Sequence, residues 1–290
     1  MNIGITGASG LIGRRLVELA LRRGYDITGF SRTPERGIPG CTMRSFPAQA
    51  PPDFSGCDAV VHLAGESVLG LWTRSKKMRI ARSRIEGTLR VVEGLRLLKN
   101  PPEVLVSGSA IGIYPDSGDI ELLEDSPTGC GFLAETATSW ETAAGQSPTA
   151  RTVRLRTGIV LGRAGGAFPL MRRVFALGLG GRLGSGTQWM SWIHLDDLVR
   201  MILFCIENQG IAGAVNGTAP WPVRNADFTR SLAAALHQPA FFHVPAFALR
   251  FLGDFSDELL GSKRVLPGVA AAHGFPFEFP ELRDALKVLT

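Results

Sequence analysis

Short apolar runs alternate with longer helical patterns over the first two-thirds of the chain. The runs NIGIT (2–6), DITGFS (26–31), DAVVHLA (58–64), EVLVSG (103–108), TVRLRTGIVL (152–161) and AVNGT (214–218) read as strands. Helical patterns occupy 11–23, roughly 74–99, 133–144, 168–177, 195–207 and 225–236. Strands that alternate with helices in this way predict βαβ units and a parallel sheet. After about Gln238 the texture shifts to aromatic, proline-punctuated pieces, PAFFHVPAFALRFLG and HGFPFEFPELRDALKVL. The shift predicts a first domain over 1–237 and a small C-terminal lobe over 238–290. Its last helix would be PELRDALKVL, with Pro280 at the start.

A chain of 290 residues can bury a sizeable core, as one large α/β domain or as a domain with an appendage. Its 45% hydrophobic and 20% charged residues, with 35 glycines, speak for a globular protein rich in tight turns and against disorder. The formal charge of +5 comes from scattered Lys and Arg with no aromatic-interleaved basic stripe, so the expected partner is an anionic small molecule and not nucleic acid. The four cysteines lie far apart without a C-x-x-C pair, which argues against a metal site or a disulfide framework. They read as reduced thiols in a cytoplasm. No signal-peptide pattern opens the sequence and no uncharged apolar run reaches membrane-spanning length, so neither export nor a membrane partner is expected.

The segment ITGASGLIG puts Gly7, Gly10 and Gly13 directly after the first strand and at the start of the first helix. Gly7 permits a tight turn, Gly10 lets the backbone approach a pyrophosphate, and Gly13 lets the helix pack on the sheet. Ser9, Leu11 and Ile12 belong to the same turn and join the cradle. An NAD site usually carries an acidic residue at the end of the second strand, for the ribose 2′-hydroxyl. Here Ser31 and Arg32 stand there instead. A guanidinium suits a 2′-phosphate, so NADP(H) is the favoured cofactor and NAD the less favoured. The competing reading of Arg32 is a solvated surface arginine.

In TGASGLIG, SRTP, HLAGE (62–66), SRIEGT (83–88), SGSAIGIY (107–114), RTGIVLG (156–162), SWIHLDDL (191–198) and LLGSKRVLPG, the chain resembles the extended short-chain dehydrogenase/reductases. Within them it resembles the atypical "epimerase family" proteins of largely unassigned function. The resemblance implies a Rossmann-type doubly wound parallel sheet, with residues 160–192 contributing to a substrate cleft that the C-terminal lobe covers. It also implies chemistry of the sugar-nucleotide kind, with a nucleotide sugar as one candidate substrate. By the same resemblance Leu63, Ala64 and Gly65 lie against the adenosine ribose and pyrophosphate, and Ser107 joins the cofactor set. His62 reads as strand-end packing, while Ser83 and Arg84 match the family motif and look toward the cleft.

Ordinary members of that superfamily use a Ser or Thr to hold the substrate oxygen, a Tyr to pass a proton, and a Lys to lower the Tyr pKa. Ser109 stands at the expected strand end. The Tyr-x-x-x-Lys pair is missing, because the matching helix start reads GFLAETATSW. Glu135 falls near the Lys position, where it would accept ribose hydroxyl hydrogen bonds but raise a neighbouring phenol's pKa. Tyr114 and His194 are the remaining candidate proton donors. Gln188, Trp192 and Lys263 are candidate substrate contacts, with Trp189 beside them and Asp196 or Asp197 as a helix N-cap. Two functions stay open: an NADP(H)-dependent oxidoreductase or epimerase-like enzyme without the usual relay, and a non-catalytic NADPH-binding regulatory module. A homodimer is also open.

Overall fold

A computed structural model describes residues 1–251 and 253–290. Seven strands form one parallel sheet: β1 (Asn2–Thr6), β2 (Asp26–Ser31), β3 (Thr42–Ser45), β4 (Ala59–His62), β5 (Val104–Ala110), β6 (Arg151–Thr157) and β7 (Gly213–Gly217). Their spatial order is β7-β6-β5-β4-β1-β2-β3, every neighbouring pair parallel. This is the Rossmann-type order expected from the sequence. It places the topological switch between β1 and β4, where the crossovers diverge to opposite sides and leave a crevice at the carboxyl ends of the strands.

Buried strand residues make the sheet apolar on both faces: Ile3, Ile5, Val60, Val61, Leu105 and Val106 are fully buried. Helices α1 (Leu11–Arg22), α2 (Arg74–Arg96), α3 (Phe132–Ala144) and α5 (Leu195–Glu207) belong to the crossovers. α1 buries Leu16, Val17 and Ala20, positions that share one face at the helical period, in the same apolar cluster as Val199 and Ile202 of α5. The expected strand 152–161 is broken at Gly158. Residues Ile159–Leu161 leave the main sheet and pair in parallel with Trp192–His194. A side chain at Gly158 would put its Cβ 2.6 Å from the Ser191 carbonyl oxygen, so glycine is what lets the two segments close.

Beyond the sheet lie α4 (Phe168–Ala176), α6 (Asn225–Ala235), α7 (Ala246–Arg250), α8 (Phe255–Leu260), α9 (Gly268–Ala272) and α10 (Leu282–Leu289). The last helix starts two residues after Pro280, with Glu281 as its N-cap. Leu282, Ala285, Leu286 and Leu289 line its buried face and share an apolar cluster with Phe168 and Phe175 of α4 and Phe228 and Leu232 of α6. Two short parallel pairings, Phe242–Val244 with Gly181–Leu183 and Arg264–Val265 with Glu121–Leu122, bind the C-terminal segment to earlier chain. Among the described residues no helix is long and apolar enough to cross a membrane. No cluster of possible metal ligands occurs among them either.

Candidate functional site

The glycine turn sits at the switch point. Gly7 has φ +73°, and a Cβ there would lie 2.8 Å from both the Ala64 nitrogen and the Leu63 carbonyl carbon. Its bare backbone lets the loop after β4 close against the loop after β1. A Cβ on Gly13 would fall 2.2 Å from the Gly7 carbonyl oxygen, so Gly13 fixes how tightly α1 meets the turn. Gly10 is the N-cap of α1, and no side chain caps the helix. Ser9 and Gly10 are exposed, Leu11 and Ile12 half-buried, and the first turn carries no carboxylate. The unpaired N–H groups of that turn and the positive end of the helix dipole therefore face outward, a fit for a pyrophosphate.

At the end of β2 the Ser31 hydroxyl accepts a hydrogen bond from the Thr33 nitrogen at 3.1 Å. Arg32 is exposed and forms no ion pair among the described residues. Across the crevice the Leu63 nitrogen donates to the Thr6 carbonyl oxygen at 3.1 Å and the Ala64 nitrogen to the Thr6 hydroxyl at 3.4 Å, leaving Gly65 exposed. Ser83 and Arg84 act on this loop from α2. The Ser83 hydroxyl accepts from the Glu66 nitrogen at 2.9 Å, and Arg84 donates to the Glu66 carbonyl oxygen at 2.9 Å while lying over the Trp140 ring. Burial lowers the Arg84 pKa to about 10, against the opposing pull of Glu66, so it stays cationic at neutrality. His62 is buried, with Nδ1 2.6 Å from the Thr6 hydroxyl. Burial and the Arg90 charge push its pKa down to about 4, which makes it the neutral packing residue expected.

At the end of β5 the structure holds a buried polar network that sequence reading missed. Arg156 of β6 grips Glu141 of α3 through Nε at 2.7 Å and Nη2 at 2.9 Å, both side chains being almost fully buried. The Ser109 hydroxyl donates to the same Glu141 carboxylate at 2.7 Å. Tyr114 accepts from Arg156 Nη1 at 2.7 Å and donates to Asn216 Oδ1 at 2.7 Å. Burial raises the Tyr114 pKa, opposed by Arg156. For Arg156, burial pulls downward, but the hydrogen bonds to Glu141 and Tyr114 prevail and its pKa is raised. Ser107 is also buried and donates to the Gly108 carbonyl oxygen. The signal was present in the sequence: an Arg inside a strand pattern and a Glu on the buried face of α3.

That face of α3 resolves the missing relay. Positions four apart lie one above another on a helix. Leu133 packs at Gly112, Ala137 joins the cluster of Ile111, Ile113 and Tyr114, and Glu141 receives Ser109. Leu133 and Ala137 thus stand two turns and one turn before Glu141, on the face that meets the end of β5. Glu135 lies two positions from Leu133, on the opposite side of the helix, and is exposed. The structure therefore does not bring Glu135 to that face.

A cavity of about 250 Å³ opens beyond the ends of β5 and β6. Ile111, Ile159, Met171, Phe175, Met190 and Phe228 are among its walls, and Gln188, Trp189 and Lys263 also border it. Trp192 does not: it is fully buried and donates its indole N–H to the Trp221 carbonyl oxygen at 3.1 Å. His194 also lies outside the lining. Its Nδ1 accepts from the Asp196 nitrogen at 3.1 Å, so His194 itself is the N-cap of α5, in place of the aspartates. Its ring packs on Phe279, and burial lowers its pKa. Asp197 accepts instead from the Glu278 and Phe279 nitrogens at 2.8 Å each, tying α5 to the C-terminal segment.

A family model described as NAD dependent epimerase/dehydratase family matches residues 3–216, and a domain of unknown function (DUF1731) matches residues 244–289. The chain is 37% identical to epimerase family protein YfhF of Bacillus subtilis, covering 100% of this chain and 98% of that protein. It is 36% identical to the human epimerase family protein SDR39U1, over 99% of each. A crystal structure of human SDR39U1 (isoform 2) with NADPH superposes with a TM-score of 0.91 at 34% identity, covering 100% of this chain and 99% of that one. A nucleoside-diphosphate sugar epimerase from Corynebacterium glutamicum gives a TM-score of 0.80 at 31% identity, covering 99% of this chain and 57% of that one.

Proposed function

This chain belongs to the NAD dependent epimerase/dehydratase family, and from that premise we propose that it binds NADP(H) across the ends of β1 and β4 and transfers a hydride to a small molecule in the cavity. The observation that carries the reading is the uncapped, carboxylate-free start of α1 behind a glycine turn that tolerates no side chain at Gly7 or Gly13. The choice of NADP(H) is supported by the exposed Arg32 at the end of β2 and by the NADPH in the human SDR39U1 structure. When bound, the cofactor supplies the hydride. The chain's own residues then have these tasks: the Gly7–Gly13 turn with Ser9, Leu11 and Ile12 holds the pyrophosphate, and Arg32 beside Ser31 holds the 2′-phosphate. The backbone of Leu63, Ala64 and Gly65 would lie against the ribose and pyrophosphate, with Ser107 in the same set.

Proton supply is where this chain departs from a relay. The Ser109 hydroxyl donates to Glu141 and that of Tyr114 to Asn216, and His194, whose Nδ1 caps α5, lies outside the cavity lining. Water in the cleft is then the proton source, and turnover is slow by about the 10²–10⁴-fold that general acid catalysis contributes. The same observations favour a second reading, in which the protein holds NADPH and reports on it without consuming it.

Arg32→Ala tests the cofactor choice by calorimetric titration. NADPH affinity should fall by about 1.5–3 kcal/mol, the range for hydrogen bonds to charged groups, with NADH nearly unchanged. Equal losses for both would end the NADP assignment. Loss of reduced-nicotinamide absorbance with a carbonyl panel decides between the two readings: none at all, with NADPH affinity intact, selects the non-catalytic one.

A further inference from the structure

We propose that the cavity is a hydrocarbon pocket, and that the molecule it takes is an uncharged apolar ketone or aldehyde, or the matching alcohol, in place of a nucleotide sugar. This rests on the hydride-transfer reading above for its chemistry, but on separate residues for its specificity.

A nucleotide sugar brings two phosphates and a polyol, and burying them requires unpaired cations and free hydrogen-bonding groups. The cavity wall offers few. Among the described residues Lys263 is its only cationic side chain, and it is already paired with Glu258, also on the wall, at 2.5 Å. The Gln188 amide nitrogen donates to the Leu183 and Leu259 carbonyl oxygens at 3.1 Å each. Asn225 Oδ1 accepts from the Leu183 nitrogen at 2.8 Å. The Ser191 hydroxyl donates to the Lys263 carbonyl oxygen and accepts from the Val265 nitrogen, both at 2.8 Å. Thr229 has the one lining hydroxyl without a partner among the described residues, enough for a single oxygen.

The remaining wall is hydrocarbon and sulfur, and so is the mouth. Leu170, Val174 and Leu179 border the cavity while being 63%, 38% and 54% exposed. Exposed apolar residues at a cavity entrance favour an apolar ligand whose chain continues outward. The volume of about 250 Å³ lies just below the usual range of ligand pockets, which suits a compact aliphatic body. Reduction would balance with water as the acid: the carbonyl carbon would take a hydride from bound reduced nicotinamide and the oxygen a proton from water, giving the alcohol, NADP⁺ and hydroxide.

The test is a homologous series of 2-hexanone, 2-octanone and 2-decanone, titrated into the full-length protein without cofactor and followed by Trp189 fluorescence, with UDP-glucose as the polar competitor. Each added methylene should tighten binding about fourfold until the cavity is full, the equivalent of about 0.8 kcal/mol. Val174→Asp and Leu179→Asp, at exposed rim positions, should weaken 2-decanone by about tenfold or more, since each sets a carboxylate where the chain must lie. Affinity independent of chain length, indifference to both rim charges, or UDP-glucose binding more tightly than 2-decanone would each overturn the proposal. NADPH is titrated into the same samples. Ketone binding without NADPH binding would refute the cofactor reading and leave the pocket standing.

Discussion

Replacing Glu141 by Leu removes the carboxylate that Arg156 grips with two hydrogen bonds and that Ser109 also uses. Both Arg156 and Glu141 are almost fully buried, at 7% and 5% exposure, so the guanidinium would be left buried and charged without a counterion, its Nη1 held only by the Tyr114 hydroxyl and the Glu124 carbonyl oxygen. Stranding one member of a buried pair costs about 3–5 kcal/mol, and the orphaned Ser109 hydroxyl adds about 1. That is a large part of the roughly 5–15 kcal/mol holding a typical domain folded. Arg156→Met should cost less than Glu141→Leu, because Glu141 keeps Ser109 and has Arg154 3.8 Å away at the solvent edge. The double variant, Glu141→Leu with Arg156→Met, should be more stable than Glu141→Leu alone, since no charge is left stranded. Urea unfolding of the four proteins, followed by tryptophan fluorescence, measures all of this. A Glu141→Leu cost below about 1 kcal/mol, or a double variant costing the sum of the singles, would refute the reasoning.

The pH dependence should carry the mark of His62, whose folded pKa near 4 lies below the ordinary value of 6.5. A depressed histidine stabilises fully above its unfolded pKa and loses that contribution as pH falls, so about 2 kcal/mol should disappear between about pH 7.5 and 5. His62→Asn should flatten that slope in urea unfolding, and an unchanged slope would mean another group is responsible. In the cradle, Gly13→Ala drives a Cβ against backbone at 2.2 Å and should abolish NADPH binding and lower stability, whereas Gly10→Ala meets only the Gly7 oxygen at 3.2 Å and should leave the fold intact. Equal unfolding midpoints for the two variants would contradict this.

Local signals were legible from the sequence and distant pairings were not. β1, β2 and α5 have the expected limits because each is bounded by turn or capping residues next to it in the chain. In the apolar run through Gly158 the glycine is the one local sign of a break, and where the chain goes after it follows from pairing with Trp192–His194 far along the chain. β3, with the sequence TMRS, is a short edge strand whose residues lack apolar periodicity. The cradle was readable because its glycines answer to steric demands within a few residues. The network of Ser109, Tyr114, Glu141, Arg156 and Asn216 left only separate signs, a charged residue in a strand pattern and another on a helix, since its members meet only after β5, β6 and β7 are aligned. Glu135 shows the related limit: two residues of helix register turn a side chain from the sheet to solvent.

α4 divides its labour along nine residues. Phe168 and Phe175 anchor it in the apolar cluster under α10, while Leu170 and Val174 border the cavity and remain partly in water. Phe168 thus holds the helix from outside the lining, Phe175 both anchors it and walls the cavity, and Leu170 and Val174 meet the cavity without joining that cluster. Libraries randomised at Leu170, Val174 and Leu179 should retain a high fraction of folded members, and selection on them can change ligand preference while Gly7, Gly10 and Gly13 stay as they are. A short amphipathic helix of this kind gives a lineage, or an engineer, an adjustable wall on an invariant frame.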